Sequence, residues 1–157
     1  MYNTKLYRFA DLSPFDLYEI MILRQTVFVV EQNCPYLDAD GLDYEAWHFM
    51  VYDNQSQLVA YTRLLPLGVP YAGYASIGRV VNLPKLRGTG LGRFLMQQSI
   101  EACYRLFGNV PIKIGAQSYL LQFYESFGFC STNEAYLEDG IPHTKMVLDK
   151  KTAPADV

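Results

Sequence analysis

The stretch LRGTGLGRFLM at residues 86–96 places three glycines within five positions beside an arginine. Because glycine has no Cβ, a ligand can approach the backbone N–H groups of such a stretch closely. A helix that begins here adds unpaired N–H groups and the partial positive charge of its N-terminus. An anion, above all a phosphate, is the ligand that such a backbone binds, and Arg87 adds a formal positive charge. We therefore interpret residues 86–96 as a phosphate-binding turn.

Three phosphate-binding sequence patterns can be compared with this turn. A further alternative is a glycine-rich turn that binds no ligand. A nucleotide P-loop ends in Gly-Lys-Ser/Thr, whereas this chain reads Leu91-Gly92-Arg93. The dinucleotide fingerprint G-x-G-x-x-G needs a glycine where Arg93 stands, and an acid about 20 residues on. The pattern R/Q-x-x-G-x-G/A after a strand is matched in full by Arg87, Gly90 and Gly92. A nucleotide-dependent enzyme is therefore disfavoured.

The elements that must position this turn follow from hydrophobic spacing. Strands are predicted over Lys5–Phe9, Trp47–Tyr52, Leu58–Leu65, Ala75–Val81, Val110–Gly115, Phe129–Leu137 and His143–Leu148. Helices are predicted over residues 14–28, 90–107 and 119–126, the first with Ser13 as N-cap and a proline at its first position. Hairpin strands come first and strand–helix–strand crossovers later, which predicts an α/β or α+β fold with a mixed sheet covered by helices.

Length and composition exclude several classes of protein. The 157 residues predict a single domain over residues 1–150 and a flexible tail over 151–157. A net charge of −3 without a clustered basic run argues against a nucleic-acid partner. No apolar run approaches the roughly 20 residues that span a bilayer, and the first residues lack the order of a signal peptide. Three cysteines without paired spacing fit a reducing compartment, so we expect a cytoplasmic protein with no membrane partner.

The chain around the glycine turn resembles a known family, the GCN5-related N-acetyltransferases (GNAT). Residues 77–129 contain IGRVVNLPKLRGTGLGRFLM and PIKIGAQSYLLQFYESFGF, which are similar to the family's strand, proline, R/Q-x-x-G-x-G/A turn, helix, strand and F-Y-x-x-x-G-F. The segments RQTVFVVEQNCPYLDADGLDYEAWH and YLEDGIPHTKM resemble its ElaA-like branch. The resemblance implies a mostly antiparallel central sheet flanked by helices, with strands that splay at the acetyl-CoA site.

The resemblance also implies an N-acetyltransferase that moves an acetyl group from acetyl-CoA to a primary amine by direct attack in a ternary complex, without a metal. The alternative is a non-catalytic acyl-CoA-binding module or sensor with the same fold. The implied cofactor-binding residues are Val80, Val81, Asn82, Arg87, Gly88, Thr89, Gly90, Leu91, Gly92, Arg93 and Gln117. The first three pair with the extended pantetheine arm as a further strand would, and the run from Arg87 to Arg93 holds the pyrophosphate. Gln117 stands where the family usually has asparagine.

Tyr124 in F-Y-E-S-F-G-F matches the family's general acid, which supplies a proton to the leaving thiolate. A tyrosine with a pKa of about 10 donates to the thiolate of a thiol with a pKa of about 8.5 only through positioning and local tuning. The plain alternative is a structural aromatic residue on a short helix.

Three residues are candidates for removing the amine proton, and each can equally be a structural or surface residue. His143 lies in DGIPH, which the resemblance to the ElaA-like branch places near the site. Glu31 follows the apolar run Val27–Val30, which predicts partial burial of its carboxyl group. His48 is the third candidate.

An acidic loop contains Asp38, Asp40, Asp43 and Glu45 but lacks the D-x-D-x-D-G spacing of a calcium loop. It is either a solvated loop or an acidic mouth that attracts a cationic amine. The acceptor is a small molecule or a protein lysine, and the sequence leaves both open. The resemblance makes a homodimer a further open alternative.

Overall fold

In a computed structural model, residues 1–151 of the chain can be described. The strands are β1 (Asn3–Arg8), β2 (Trp47–Tyr52), β3 (Leu58–Leu65), β4 (Ser76–Asn82), β5 (Ile112–Gln117), β6 (Cys130–Glu138) and β7 (Ile141–Leu148). The α-helices are α1 (Pro14–Gln25), α2 (Leu91–Phe107) and α3 (Leu121–Glu125). Each predicted strand and helix is found, with ends displaced by a few residues. The predicted tail lies outside the described residues except for Lys151, whose backbone is hydrogen-bonded to the Asn109 side chain.

The described chain divides into two compact units. The first comprises Met1–Leu65 and Ile77–Glu101, and the second comprises Pro66–Ser76 and the chain from Ala102 onwards. The sheet β1-β2-β3-β4 belongs to the first unit and the sheet β5-β7-β6 to the second. Antiparallel pairing joins β1 to β2, β2 to β3, β5 to β7 and β6 to β7, which confirms the predicted antiparallel character. The prediction of one domain over residues 1–150 stays a prediction.

Helix α1 begins where the sequence predicts and packs against the first sheet. The Oγ of Ser13 accepts a hydrogen bond from the Asp16 amide at 3.0 Å, and the Asp16 carboxylate accepts from the Ser13 amide at 3.2 Å. This reciprocal capping box satisfies two amides at the helix start. The apolar face buries Ile20 and Leu23 against Met50 and other residues of the sheet.

The predicted continuation of α1 to about residue 28 is wrong, because a π-helical segment over Thr26–Glu31 replaces the last α-helical turn. The Gln32 amide donates to the Val27 carbonyl at 3.1 Å, and the Cys34 amide donates to the Val29 carbonyl at 3.0 Å. The segment TVFVV is rich in β-branched residues, which crowd the preceding turn of an α-helix. The wider turn ends with Glu31.

Helix α2 is amphipathic, as its sequence predicts. The residues Leu91, Leu95, Met96, Ala102 and Cys103 are buried. Ser99 is buried with them, and its hydroxyl lies 2.7 Å from that of Thr62. Phe94 stacks on Tyr2 with ring centroids 5.6 Å apart. None of the helices in residues 1–151 combines the length and apolarity needed to cross a membrane.

In the second unit, β7 lies between β5 and β6. His143 of β7 is directly opposite Gln117 of β5 on one side and Tyr136 of β6 on the other. Along β5, buried residues alternate with residues on the opposite face of the sheet. The Ser118 hydroxyl lies 2.9 Å from the Thr144 hydroxyl, and α3 begins after Ser118 without a side-chain cap.

Candidate active site

The glycine turn has the backbone conformation that the sequence predicts for a ligand-binding loop. Gly88 and Gly90 have φ angles of +78° and +88°, in the left-handed region that favours glycine. A Cβ built on either residue would meet nothing within 4 Å. These two glycines therefore border open space and leave the backbone accessible to a ligand.

The amides that follow the glycines begin helix α2. The first backbone bond of the helix runs from the Phe94 amide to the Gly90 carbonyl at 3.1 Å. The amides of Leu91 and Gly92 precede this bond and have no helical partner, as at any helix start. The Thr89 hydroxyl donates to the Leu86 carbonyl at 2.6 Å and fixes the turn. The residues present therefore fit a phosphate group, since the turn combines accessible amides with a helix N-terminus.

Arg87 and Arg93 are exposed at the two ends of this turn. Arg87 donates through Nη2 to the Glu31 carboxylate at the end of the π-helical segment. The Arg87 side chain is 49% exposed and that of Glu31 is 37% exposed. The Glu31 side chain is therefore only partly buried, and its carboxylate lies beside the phosphate-binding turn. Its role as a base stays a prediction.

The end of β4 carries the residues that the family resemblance assigns to the pantetheine arm. Val81 is 3% exposed and belongs to the core of the first unit, whereas Val80 and Asn82 are half-buried. Arg79, immediately before them, has a φ of +50°, which is uncommon for a residue other than glycine. This conformation bends the strand next to Val80 and directs the Arg79 side chain to the acidic loop.

The acidic loop is held by three arginines. The buried Arg24 of α1 donates through Nε to Asp38 at 2.8 Å and through Nη1 to Asp43 at 2.7 Å. The other ion pairs join Arg63 to Asp40 at 2.7 Å, Arg63 to Asp43 at 3.2 Å, Arg79 to Asp38 at 2.8 Å and Arg79 to Asp40 at 3.2 Å. We call these six residues the ion cluster. Neither interpretation of the loop from the sequence, as solvated or as an acidic mouth, describes these aspartates, because arginines neutralise them.

The ion cluster sets the protonation of its members. Burial alone would raise the pKa of Asp40, but the hydrogen bond and charge of Arg63 lower it to about 2. The pKa of Asp43 is lowered as well, because Arg24 and Arg63 outweigh the effect of burial. Burial alone would lower the pKa of Arg24, but its bonds to the aspartates raise it above the ordinary value. Asp40, Asp43 and Arg24 are therefore charged at neutral pH.

His48 is a structural residue of the first unit. Its side chain is fully buried, and Nε2 lies 3.0 Å from the Asp43 carbonyl, while Nδ1 lies 2.6 Å from the Tyr61 hydroxyl. Because a carbonyl only accepts, Nε2 carries the proton and Nδ1 accepts from Tyr61. Burial lowers the pKa of His48 and keeps the ring neutral. The candidate role of His48 as a base is contradicted, because the ring has no access to an acceptor amine.

Tyr124 lies in the second unit on α3 and is 6% exposed. Its ring packs edge-on against Phe123 and Phe129, with centroids 5.2 and 6.1 Å away. Burial raises the pKa of Tyr124 above its ordinary value, since a buried phenolate is poorly solvated. The hydroxyl therefore stays protonated at neutral pH and can act as a hydrogen-bond donor.

His143 of β7 is the other sequence-predicted residue in the second unit, and its side chain is buried. Its Nδ1 lies 2.7 Å from the Ile141 carbonyl, so Nδ1 is the donor and the lone pair of the neutral ring is on Nε2. The Glu138 carboxylate lies 3.4 Å from Nε2. This arrangement can accept a proton at Nε2 and stabilise the resulting charge. In the antiparallel pairing of β5 with β7, Gln117 lies opposite His143.

With the geometry described, comparison with known proteins shows what the chain is similar to. A family model for the acetyltransferase (GNAT) domain matches residues 36–150. The chain belongs to the GNAT acetyltransferase family. This result confirms the resemblance that the sequence indicates.

Among GNAT relatives, the chain is 43% identical over 142 residues to protein ElaA of Escherichia coli, covering 89% of this chain and 92% of that protein. The crystal structure of E. coli ElaA superposes with a TM-score of 0.87 over 95% of this chain and 100% of the other. A solved acyl-CoA N-acyltransferase from Pseudomonas aeruginosa is 42% identical, with a TM-score of 0.87 over 94% of this chain and 99% of the other. These matches confirm the ElaA-like branch and the mixed α/β GNAT fold.

Three arginines of the ion cluster in this GNAT chain were not predicted from the sequence. Arg24 lies beside the buried apolar residues Ile20 and Leu23 on α1, and Arg63 interrupts the fully buried strand β3. A charged residue at a position whose pattern predicts burial requires a partner charge. The acidic loop was the sequence signal that could have identified those partners.

Proposed function

We propose that the protein is an acetyl-CoA-dependent N-acetyltransferase that acts on a primary amine. The observation that carries this proposal is the open glycine turn beside Arg87, at the start of a 17-residue helix. Membership of the GNAT family supports acyl-CoA as the ligand of this turn. The amides from Gly88 to Gly92 would hold the pyrophosphate, with Arg87 and Arg93 adding positive charge.

Acetyl-CoA supplies an acetyl thioester, whose carbonyl carbon forms a bond to the amine nitrogen while its bond to sulfur breaks. The backbone of Val80, Val81 and Asn82 would pair with the pantetheine arm, and the Gln117 amide stays a proposed cofactor contact. An N–H group at the end of β4 is suited to the developing negative charge on the carbonyl oxygen. The positive φ of Arg79 supports this role, because it interrupts the extended backbone conformation immediately before Val80.

Tyr124 is the proposed acid for the departing thiolate. Since burial raises the pKa of Tyr124, complete transfer of its proton to a thiolate is unfavourable. Donation of a hydrogen bond is what a buried, protonated phenol offers to a developing negative charge. The amine in turn must lose a proton, and the lone pair of His143 Nε2 is the proposed acceptor, ahead of Glu31.

Calorimetry with CoA tests the binding part of this proposal. We expect CoA to bind, and Arg87→Met to weaken binding by about tenfold or more, since one charge-assisted hydrogen bond contributes about 1.5–3 kcal/mol. Absence of binding heat for both CoA and acetyl-CoA would refute the proposal.

Release of free CoA, measured with a panel of amines, tests the chemical part. Tyr124→Phe should lower kcat by about 100-fold while leaving the CoA Kd unchanged, because loss of one preorganised hydrogen-bond donor to a developing negative charge costs about 10²–10³-fold. Unchanged turnover would remove Tyr124 from the mechanism. A wild-type protein that binds acetyl-CoA but acetylates no amine would favour the alternative, a non-catalytic acyl-CoA-binding module.

A further inference from the structure

One face of the second unit carries two lysines among three tyrosines. The ammonium group of Lys145 donates to the Tyr71 hydroxyl at 2.9 Å. It also lies 4.3 Å from the Tyr71 ring centroid and 4.7 Å from that of Tyr136. Lys113 lies 5.4 Å from the Tyr71 centroid and 5.3 Å from that of Tyr74. We call these five residues the lysine–tyrosine patch.

Backbone hydrogen bonds hold together the two chain segments that form this patch. The Ala75 amide donates to the Pro111 carbonyl at 3.0 Å, and the Lys113 amide donates to the Ala75 carbonyl at 2.9 Å. These bonds join the segment that carries Tyr71 and Tyr74 to the start of β5. Gly115 lies opposite Lys145, and a Cβ on it would come within 2.2 Å of the Tyr136 hydroxyl. A glycine is therefore required for Tyr136 to lie over the sheet.

The polar atoms of the patch are suited to an anion. No carboxylate of the described residues lies within 4.0 Å of either lysine ammonium, as the ion pairs of residues 1–151 show. The Tyr71 oxygen accepts from Lys145, so its own hydrogen remains to be donated elsewhere. Burial raises the pKa of Tyr136 and keeps its hydroxyl protonated. Half-buried cations of this kind favour a carboxylate partner, because aromatic rings offset only part of the desolvation cost.

On the same face of the sheet, a negative charge lies beside His143 of β7 and comes from Glu138 of β6. His143 and Lys145 project to one side of the strand, separated by about 6.6 Å along it at a rise of about 3.3 Å per residue. The Glu138 carboxylate lies beside His143 Nε2 at 3.4 Å. The face therefore has a cationic, donor-rich end at Lys145 and an anionic, proton-accepting end at His143. Lys113 lies on the cationic side.

We infer that this face binds the acceptor, and that the acceptor is a primary amine that also carries a carboxylate, such as a free amino acid or a short peptide. The carboxylate would lie on Lys145 and the tyrosine hydroxyls, and the amine would lie at Glu138 and His143. This inference rests on the proposed acetyltransferase function and adds the chemical class of its acceptor. This inference replaces the hypothesis that the acidic loop attracts a purely cationic amine. The aspartates of that loop are already paired with arginines.

The test compares acceptors that share one α-amine: free amino acids and dipeptides against their carboxamides, with CoA release as the readout. We expect kcat/KM to be at least about tenfold higher for the carboxylate forms, the contribution of one charge-assisted contact. Lys145→Met should reduce this ratio to near unity. Lys145→Arg should retain most of the preference, because it keeps the charge.

The matched control is Lys5→Met, since Lys5 also stacks on a tyrosine ring, at 5.0 Å from the Tyr52 centroid, but lies in the first unit. It should leave the carboxylate preference unchanged. The CoA Kd and thermal midpoint of Lys145→Met should match the wild type, which separates a lost acceptor contact from misfolding.

Equal rates with carboxylates and carboxamides would overturn the inference and leave acyl transfer in place. A Lys145→Met variant that keeps the full preference for carboxylates over carboxamides would overturn the inference as well. So would a wild-type protein that binds CoA yet acetylates no carboxylate-bearing amine in the panel. Absence of binding heat with CoA would instead refute the proposed acetyltransferase function itself, before any question about the acceptor arises.

Discussion

At the scale of single residues, the surroundings of a side chain decide the chemistry that its type permits. His48 and His143 are the two histidines of the chain, and both are buried. Both nitrogens of His48 are hydrogen-bonded inside the core, whereas His143 uses Nδ1 for its own backbone and keeps the Nε2 lone pair beside Glu138. One ring is thus structural, and the other has the arrangement of a proton acceptor.

Glu31 should compete with the phosphate groups of CoA for Arg87. Because the carboxylate is paired with Arg87 at the glycine turn, Glu31→Gln removes a negative charge from the proposed phosphate site. We expect the CoA Kd to fall by about threefold to tenfold at low salt and by less at about 0.15 M or above, where screening is stronger. Calorimetry at two salt concentrations measures this effect.

Asp11→Asn is the control for that measurement, since Asp11 is also exposed and paired with an arginine, Arg8. It should leave the CoA Kd unchanged. Weaker binding of CoA to Glu31→Gln would contradict the prediction and would mean that Glu31 holds Arg87 in place instead of competing for it.

At the scale of elements, the ion cluster fastens the acidic loop to α1, β3 and the bend in β4. Arg24, Arg63 and Arg79 each come from one of these elements, and each pairs with two aspartates of the loop. The cluster therefore connects the core of the first unit to the strand end that we propose for pantetheine binding. Loss of one aspartate should affect both stability and the site.

Asp43→Asn should lower the free energy of unfolding by about 3 kcal/mol, because removing one member of a buried ion pair leaves its partner charge uncompensated. Its partners Arg24 and Arg63 are both almost fully buried. Denaturant unfolding measures the change. Asp11→Asn, in an exposed ion pair, should cost less than about 0.5 kcal/mol, and equal losses in the two variants would contradict a buried cluster.

The capping box of α1 gives a second test at this scale. Ser13→Ala removes the acceptor of the Asp16 amide and should cost about 1 kcal/mol of stability. Thermal or denaturant unfolding detects this loss, whereas Ser13→Asp should restore most of it because aspartate is an equally good N-cap. A Ser13→Ala variant as stable as the wild type would show that tertiary packing alone fixes the helix start.

At the scale of the whole molecule, stability at acid pH should depend on the ion cluster. The pKa of Asp40 is lowered from 3.8 to about 2, so the folded state binds the carboxyl proton less readily than the unfolded chain does. The stabilisation by this group is complete above pH 3.8 and is lost as the pH falls through about 2. The lowered pKa of Asp43 acts in the same direction.

Thermal unfolding between pH 5 and pH 2 should therefore show a steeper loss of stability for the wild type than for Asp40→Asn. The variant should be less stable at pH 5, and the two midpoints should converge towards pH 2, where the Asp40 contribution has gone. Parallel curves for the two proteins would contradict the lowered pKa.

The sequence by itself determined the features that depend on residues close to one another along the chain. The glycine turn was predictable because its conformation, its accessible amides and its helix start all arise within residues 86–96, and the strands and helices follow from local periodicity. Only the tertiary structure decided the partners of the charged residues. Arg79 pairs with Asp38 across 41 positions, and Lys145 meets Tyr71 across 74. Such contacts arise from the packing of whole elements, which local spacing along the chain does not specify.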